Sequence, residues 1–458
     1  VQGAAVSSAA GQAAARSGPR GLPVLGVARD LRRDPLKYFV DLMLTYGDVV
    51  WFRIGPAEVV MLNDPDAVRH VLQGNHRNYH KSRFYEAFRP LLGRGIFLAE
   101  DDAWLAQRRV AVPSFGGPRF APMATAVASA ARDLLDRWTA APDGVIEVMP
   151  EMMRVTLDAV TRAFFHLDIV GEHDALHDAF TVILRHTERR VWSPLPLPER
   201  LDAILHPEYR AAMATLDGVV DRLIDDRRRN PLESDDLLTA LIAAHDGHPD
   251  GRRLLRDEVV SMIAAGHEST ACALAWCLCL LSRHPETADR LRTEADALGG
   301  VEPGFGDIAR LPFARMVFDE SMRLFPPVWT ISRRAIAEDR IGDTVIPAGT
   351  TVMLCPYAVH RNPKHWRNPE GFDPTRFAPG GEAERARYAW FPFAGGPRVC
   401  LGQRFAVMEA QIILTMIAQR FDLELMPGEK MAPEPMITLR PRTGTRMRLV
   451  ARAPQGGS

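Results

Sequence analysis

Lysine is scarce in this chain. Only Lys37, Lys81, Lys364 and Lys430 occur in 458 residues, so nearly all the positive charge is arginine. Fifty-six basic residues face 57 acidic ones, for a formal net charge of −1. Such a balance gives no bulk attraction to nucleic acid or to an anionic membrane. Cysteine is sparse too: Cys272, Cys277, Cys279, Cys355 and Cys400. An odd, scattered set argues against a disulfide framework and for a reducing compartment, so a cytoplasmic location is expected. Cys272, Cys277 and Cys279 have no companion pair of the kind a zinc site needs, and they read as packing residues of a buried helix. No apolar run approaches the ~20 residues that cross a bilayer; the longest spans 271–281. Residues 1–17 lack the basic and apolar regions of a signal peptide and are expected to form a flexible tail, followed by one domain over 18–458. No flavin, nicotinamide or iron–sulfur pattern is present, so electrons for any redox chemistry must come from another protein.

What is present is helical periodicity. Residues 34–46 read as a helix closed by Gly47, and 49–63 as a hairpin around Gly55-Pro56. From about 65 to 325 the pattern is mostly helical, with breaks at 225–236 and 246–251. Strand signals return at 340–354 and near 436–449. One long helix is expected over 257–284, about 40 Å long and enough to cross the domain. The fold class is therefore mainly α with a minor β region near both ends, without internal repeats.

The most informative stretch is Phe393-Ala-Gly-Gly396-Pro-Arg398-Val-Cys400-Leu-Gly402, with a helix-like run from Gln403 behind it. A cysteine here lies near the positive end of a helix and within reach of backbone N–H groups, both of which favour the thiolate. Glycines let backbone come close to a large flat cofactor, and a thiolate is a strong axial ligand for haem iron. The spacing Phe-x-x-Gly-x-Arg-x-Cys-x-Gly is complete and resembles the haem-binding signature of the cytochrome P450 monooxygenases. The resemblance implies haem b held by Cys400, with Phe393, Gly396, Arg398 and Gly402 shaping the loop and Arg398 reaching a haem propionate.

Further motifs follow in the family's order. Ala264-Ala265-Gly266-His267-Glu268-Ser269-Thr270 lies in the middle of the expected long helix. Glycine and hydroxyl residues weaken a helix there, and Ser or Thr can bond back to its carbonyls. The stretch resembles the family's Ala/Gly-Gly-x-Glu/Asp-Thr pattern, which implies a proton relay through Gly266, Glu268 and Ser269, with Thr270 in reserve. Ser269 stands where the family usually has Thr, so looser coupling is expected. His267-Glu268 also brushes a zinc-protease pattern, but Ala271 occupies the position of its second histidine. Glu320 and Arg323 are i, i+3 neighbours on a helix; they resemble the family's Glu-x-x-Arg pair, with Arg376 as third member, a structural device. Trp104 and Arg108 at i, i+4, together with Arg334, are expected to hold the haem propionates, which need charge-assisted partners.

The expected pocket walls are Phe84, Phe88, Phe97, Ala264, Ala265, Thr330, Ile331 and Ile437, with Tyr85, Val328 and Met436 nearby. They are apolar or aromatic, so a lipophilic substrate such as a terpenoid, fatty acid or polyketide-like compound is expected. Residues 180–207, including Trp192 to Pro198, are expected to form a variable lid. The implied activity inserts one oxygen atom from O2 by hydroxylation or epoxidation. Electrons would come from a ferredoxin or flavodoxin with its reductase, steered by Arg108, Arg109, Arg385, Arg387 and Arg404, to a monomeric enzyme. A peroxygenase or haem isomerase on the same fold would not need that partner, and a non-catalytic haem-binding sensor would need neither the relay nor the pocket.

Overall fold

The computed structural model describes residues 16–141, 144–167, 173–191, 193, 199–231, 236–381, 385–442 and 445–452. The expected tail falls mostly on 1–15, outside these residues, as do Trp192 and residues 194–198 of the expected lid. Arg16 and Ser17 are packed on the first sheet. The Arg16 guanidinium lies 4.2 Å from the Trp51 ring centre, and the Ser17 carbonyl accepts from the Trp51 N–H.

Helix α1 (Pro35–Tyr46) starts where Asp34 accepts from the Lys37 N–H, with proline at its first position. It ends at Gly47, whose φ of 87° lies in the left-handed region. Strands β1 (Val49–Ile54) and β2 (Ala57–Leu62) form the expected hairpin. They join β3 (Tyr79–Lys81), β4 (Ile331–Ala335) and β5 (Thr351–Leu354) in a sheet of order β1-β2-β5-β4-β3. Only the β2–β5 pairing is parallel. Strand β4 lies outside the segments with strand signals in the sequence. Ile331, expected in the pocket wall, instead lies in the sheet core beside Val60, Val352 and Leu354. Its neighbour Thr330 precedes the strand and is half-buried.

Helices α2 (Asp101–Ala111), α3 (Phe120–Thr139), α4 (Val148–Phe165), α5 (His173–Val191), α6 (Glu199–Leu205) and α7 (Pro207–Arg229) precede the longest helix, α8 (Gly251–Leu281). Helix α7 continues to Arg229, so the expected break at 225 begins later. Helix α8 starts and stops earlier than the 257–284 expected. Its 31 residues span about 46 Å. It is also long and apolar enough to cross a membrane, with a window of mean hydropathy 1.3, contrary to the reading of the sequence. However, 78% of that window is buried inside the protein, so α8 is the axis of the core. Helices α3, α4, α9 (Pro312–Leu324) and α10 (Gln403–Arg420) contribute to the same hydrophobic cluster. Gly266 lets α4 approach α8: an added Cβ would come within 3.0 Å of the Val160 side chain. Nearby, the Thr156 hydroxyl donates to the His267 carbonyl at 3.0 Å.

Candidate active site

Five cysteines divide four to one. Cys272, Cys277, Cys279 and Cys355 are buried, whereas Cys400 is exposed. Burial pushes the thiols of Cys277, Cys279 and Cys355 up to about 12 and Cys272 higher still. Although Cys400 presents open surface, the chain packed around it still pushes its thiol up, and the N–H groups of Gly402 and Gln403 and the Arg108 charge work against that rise. These are the opposing forces expected of a cysteine just before a helix. The Cys400 N–H donates to the Phe393 carbonyl at 3.0 Å, which closes the loop. Gly396 takes φ 65°, and a Cβ there would lie 2.0 Å from the Leu72 carbonyl oxygen. Only glycine fits that approach.

Arg108 on α2 donates to the Val399 carbonyl at 3.2 Å, next to Cys400. Trp104 lies between Arg108 and Arg398, whose guanidinium carbons are 5.6 and 4.4 Å from its ring centre. Arg398 donates to the Ala99 carbonyl at 3.0 Å and pairs with Glu100. Two further cations meet there that the sequence did not single out. Register places Lys81 of β3 opposite Arg333 of β4. The Lys81 ammonium donates to the Ala99 carbonyl at 3.1 Å and approaches Glu100 at 3.5 Å. Burial, Arg398 and Arg333 push Lys81 down to about 7, with Glu100 opposing. Arg333 is buried and Arg334 exposed, so the strand turns the neighbour of the expected residue inward. Lys81, Arg333 and Arg398 thus crowd together around the carboxylate of Glu100, with Asp101 also acting on Arg398. A group bearing carboxylates would find charge-assisted partners there and would favour the charged form of Lys81.

On α8, Ala265 is exposed and Ala264, Gly266 and Ser269 are half-buried, while residues 270–281 are buried throughout. The Ser269 hydroxyl donates to the Ala265 carbonyl at 3.0 Å, so both share one helix face. Thr270 points elsewhere. It donates to the Gly266 carbonyl at 3.3 Å and adjoins the buried Glu409 of α10, whose carboxyl burial holds well above the ordinary range. Glu268 is also buried and pushed up by burial, with Thr438 and Arg440 working against the rise. Its partner is the Thr438 hydroxyl, donating at 2.8 Å, not Ser269. Thr438 was missed because it lies 170 residues away, in the turn that also carries Ile437. His267 is buried; burial pushes it down to about 4, so it is neutral, and it packs on Phe180 of α5 at 4.8 Å.

Tyr85, Phe88 and Phe97 form an aromatic trio with centroids 5.8 to 6.2 Å apart. Phe84 stands apart from the trio, 5.5 Å from the Arg83 guanidinium. Helix α5 packs on this segment. Ile437 is half-buried beside Met436, whose carbonyl accepts from the Trp329 indole at 2.8 Å.

The pair Glu320 and Arg323 is completely buried, with bonds of 2.7 and 2.8 Å. Arg323 also donates to the carbonyls of His360, Pro369 and Gly371 at 2.6 to 3.0 Å. Arg376 lies 3.4 Å from Glu320 and donates to the carbonyls of Arg367 and Asn368. His360, held neutral by burial and nearby arginines, accepts from the Phe391 N–H at 3.0 Å. The charge cluster thus fixes the chain leading into the Cys400 loop.

A cytochrome P450 family profile matches residues 17–446. The chain belongs to the cytochrome P450 family. It is similar to the cyclooctatin synthase of Streptomyces melanosporofaciens, 33% identical over 92% of each chain. It also resembles the pentalenene oxygenase of Streptomyces avermitilis, 31% identical over 96% of this chain and 98% of that one. Among solved structures, the cytochrome P450DA heme domain superposes with a TM-score of 0.85 at 26% identity, covering 96% of this chain and 98% of that one. This P450 is therefore a haem-thiolate monooxygenase that works with O2, a redox partner and a lipophilic substrate. When bound, the haem would supply oxygen activation; an exposed cysteine on a glycine loop and the cluster of Lys81, Arg333 and Arg398 fit it.

Proposed function

We propose that this P450 hydroxylates or epoxidises a terpenoid-like hydrocarbon, using electrons from a separate ferredoxin- or flavodoxin-type protein. The observation that carries the reading is Ala265, the one exposed residue between 254 and 281 of α8, flanked by half-buried Ala264 and Gly266 and with the Ser269 hydroxyl on the same face. Small alanines leave room for a bulky substrate, and the aromatic trio offers a wall without charge. The relatives named for cyclooctatin and pentalenene chemistry support a polycyclic terpene over a fatty acid.

In this reading Cys400 is the iron ligand. Lys81, Arg333, Arg398 and Arg108, with Trp104 between the last two, hold the propionates. Glu268, pushed toward its protonated form by burial and oriented by Thr438, is the proton store, and Ser269 presents a hydroxyl on the exposed face of α8. Glu320, Arg323 and Arg376 position the loop without touching substrate. Arg109, Arg387 and Arg404 are exposed and remain candidates for steering an acidic redox partner. Arg385 is packed among Trp366, Phe377 and Trp390, and Arg108 turns to Val399, so these two are committed inward. A monomer in a reducing cytoplasm agrees with five free cysteines.

The test is a difference-spectrum titration of the haem-loaded protein with sesquiterpenes, diterpenes, fatty acids and macrolides. Loss of the axial water is expected with the cyclic terpenes. A response confined to fatty acids would overturn the substrate class. A Cys400→Ser protein that kept the thiolate-type spectrum of the reduced carbon-monoxide complex would overturn the ligand assignment.

A further inference from the structure

We propose that His186, Asp202 and His206 form a divalent-cation site, best matched to Zn2+, that ties α5, α6 and the start of α7 together. The residues come from three successive elements: His186 near the end of α5, Asp202 within α6, and His206 just before α7. One ligand atom from each lies within 4.8 Å of the others. His186 Nε2 is 2.8 Å from Asp202 Oδ2, and His206 Nε2 is 3.8 Å from Asp202 Oδ1.

Ligands of tetrahedral zinc, with bonds of about 2.0–2.2 Å, lie roughly 3.3–3.6 Å from one another. The His206–Oδ1 separation of 3.8 Å lies close to that value, whereas the 2.8 Å contact of His186 with Oδ2 is a hydrogen bond that an incoming ion would have to replace. The longer one is too wide for a hydrogen bond but suits two ligands sharing an ion. Two imidazoles and one carboxylate are a donor set that zinc accepts readily. The His206 ring is also held from its other side. Its Nδ1 meets Glu208 Oε1 at 3.3 Å, the outer carboxylate contact that metal-bound histidines commonly make. His186 is 4% exposed, and its Nδ1 has no hydrogen-bond partner, so nothing fixes its tautomer from the far side. The His206 side chain is 31% exposed, which leaves a path for the ion and for a water as fourth ligand.

One group opposes the ion. Arg190 pairs with Asp202 Oδ2, the same oxygen that His186 contacts. It offsets the carboxylate's charge and so weakens cation binding, and it does so at Oδ2, whereas His206 faces Oδ1. This gives the proposal a signature that a plain ion-pair cluster lacks: removing Arg190 should tighten the metal.

Helix α5 packs on the aromatic segment 83–88 and on His267 through Phe180. A cation joining the end of α5 to α6 and α7 would therefore stiffen the cover of the pocket.

The test uses haem-loaded, tag-free protein in competition with a zinc-sensitive dye. One zinc per chain is expected. His186→Ala and Asp202→Asn should weaken binding by about tenfold or more, consistent with loss of a ligand. His206→Ala, at a half-exposed position, should do the same with the haem spectrum and unfolding midpoint unchanged, which separates loss of a ligand from loss of fold. Arg190→Gln should tighten binding. No zinc uptake by the parent protein, uptake unchanged by His206→Ala, or an Arg190→Gln protein that binds no tighter would overturn the site.

Discussion

On the Cys400 side, Glu320 and Arg323 have no exposed surface, and Arg323 spreads its donors over one carboxylate and three carbonyls. On the opposite side, Ser269 bonds only the carbonyl one turn behind it, and the rings of Tyr85, Phe88 and Phe97 meet at tilted angles and remain partly accessible. The first region is over-determined and the second is not. A group whose shape never changes can be gripped by buried charges that tolerate no alternative. A surface that has to admit and release a hydrophobic guest cannot be pinned in that way, because every fixed polar bond would have to break on each turnover.

The largest effect should come from Glu320→Gln. It removes the one carboxylate that faces the buried Arg323 charge, a loss in the class of about 3–5 kcal/mol. Phe97→Ala, at a ring that is 36% exposed, should cost far less. Urea unfolding of the haem-loaded proteins measures both, and equal losses would break the contrast between the two sides.

The cationic cluster offers a second test. Arg333→Gln should weaken haem retention by roughly tenfold or more, as for a lost charge-assisted hydrogen bond of ~1.5–3 kcal/mol, whereas Arg334→Gln should leave it unchanged. Lys81 adds a pH dependence. Its pKa of about 7 lies below that of an ordinary lysine, and two incoming carboxylates would raise it. Below pH 7 the ammonium is already charged. Above pH 7 haem uptake must bring in a proton, so the affinity ratio of parent protein to Lys81→Gln should fall by up to ~10-fold per pH unit. Haem transfer to apomyoglobin at pH 6.5 and 8.5 measures it; a flat ratio would remove Lys81 from the site.

The smallest effect is expected between adjacent alcohols. Ser269→Ala should raise the share of electrons lost as hydrogen peroxide several-fold, and Thr270→Val should change it less, since Thr270 adjoins Glu409. The reverse order would move the relay to Thr270.

How much of this was legible depended on sequence distance. The Cys400 loop is one contiguous stretch, and the Glu320–Arg323 pair is one helical turn, so spacing alone revealed them. Lys81 and Arg333 meet only because β3 pairs with β4, and no local pattern announces a partner 252 positions away, counting from 81 to 333. Choosing Arg333 over Arg334 required knowing that 331–335 is a strand, where a shift of one residue reverses the side chain's face. Thr438 stayed hidden for the same reason. Helix α8 was legible as a helix from its length and apolar content, but the polar residues 267–270 in its middle broke the apolar run and concealed a stretch whose mean hydropathy mimics a membrane span.

Arg323 has one more consequence. It binds backbone oxygens at positions 360, 369 and 371, and Arg376 binds those at 367 and 368. These contacts do not depend on which side chains the segment carries. What they do measure is its contour. Evolution is free to rewrite much of the lettering between 361 and 371, but inserting or deleting a single residue would put a carbonyl out of reach of its donor. The two arginines act as a gauge of chain length, set into the core and read by the loop that carries Cys400.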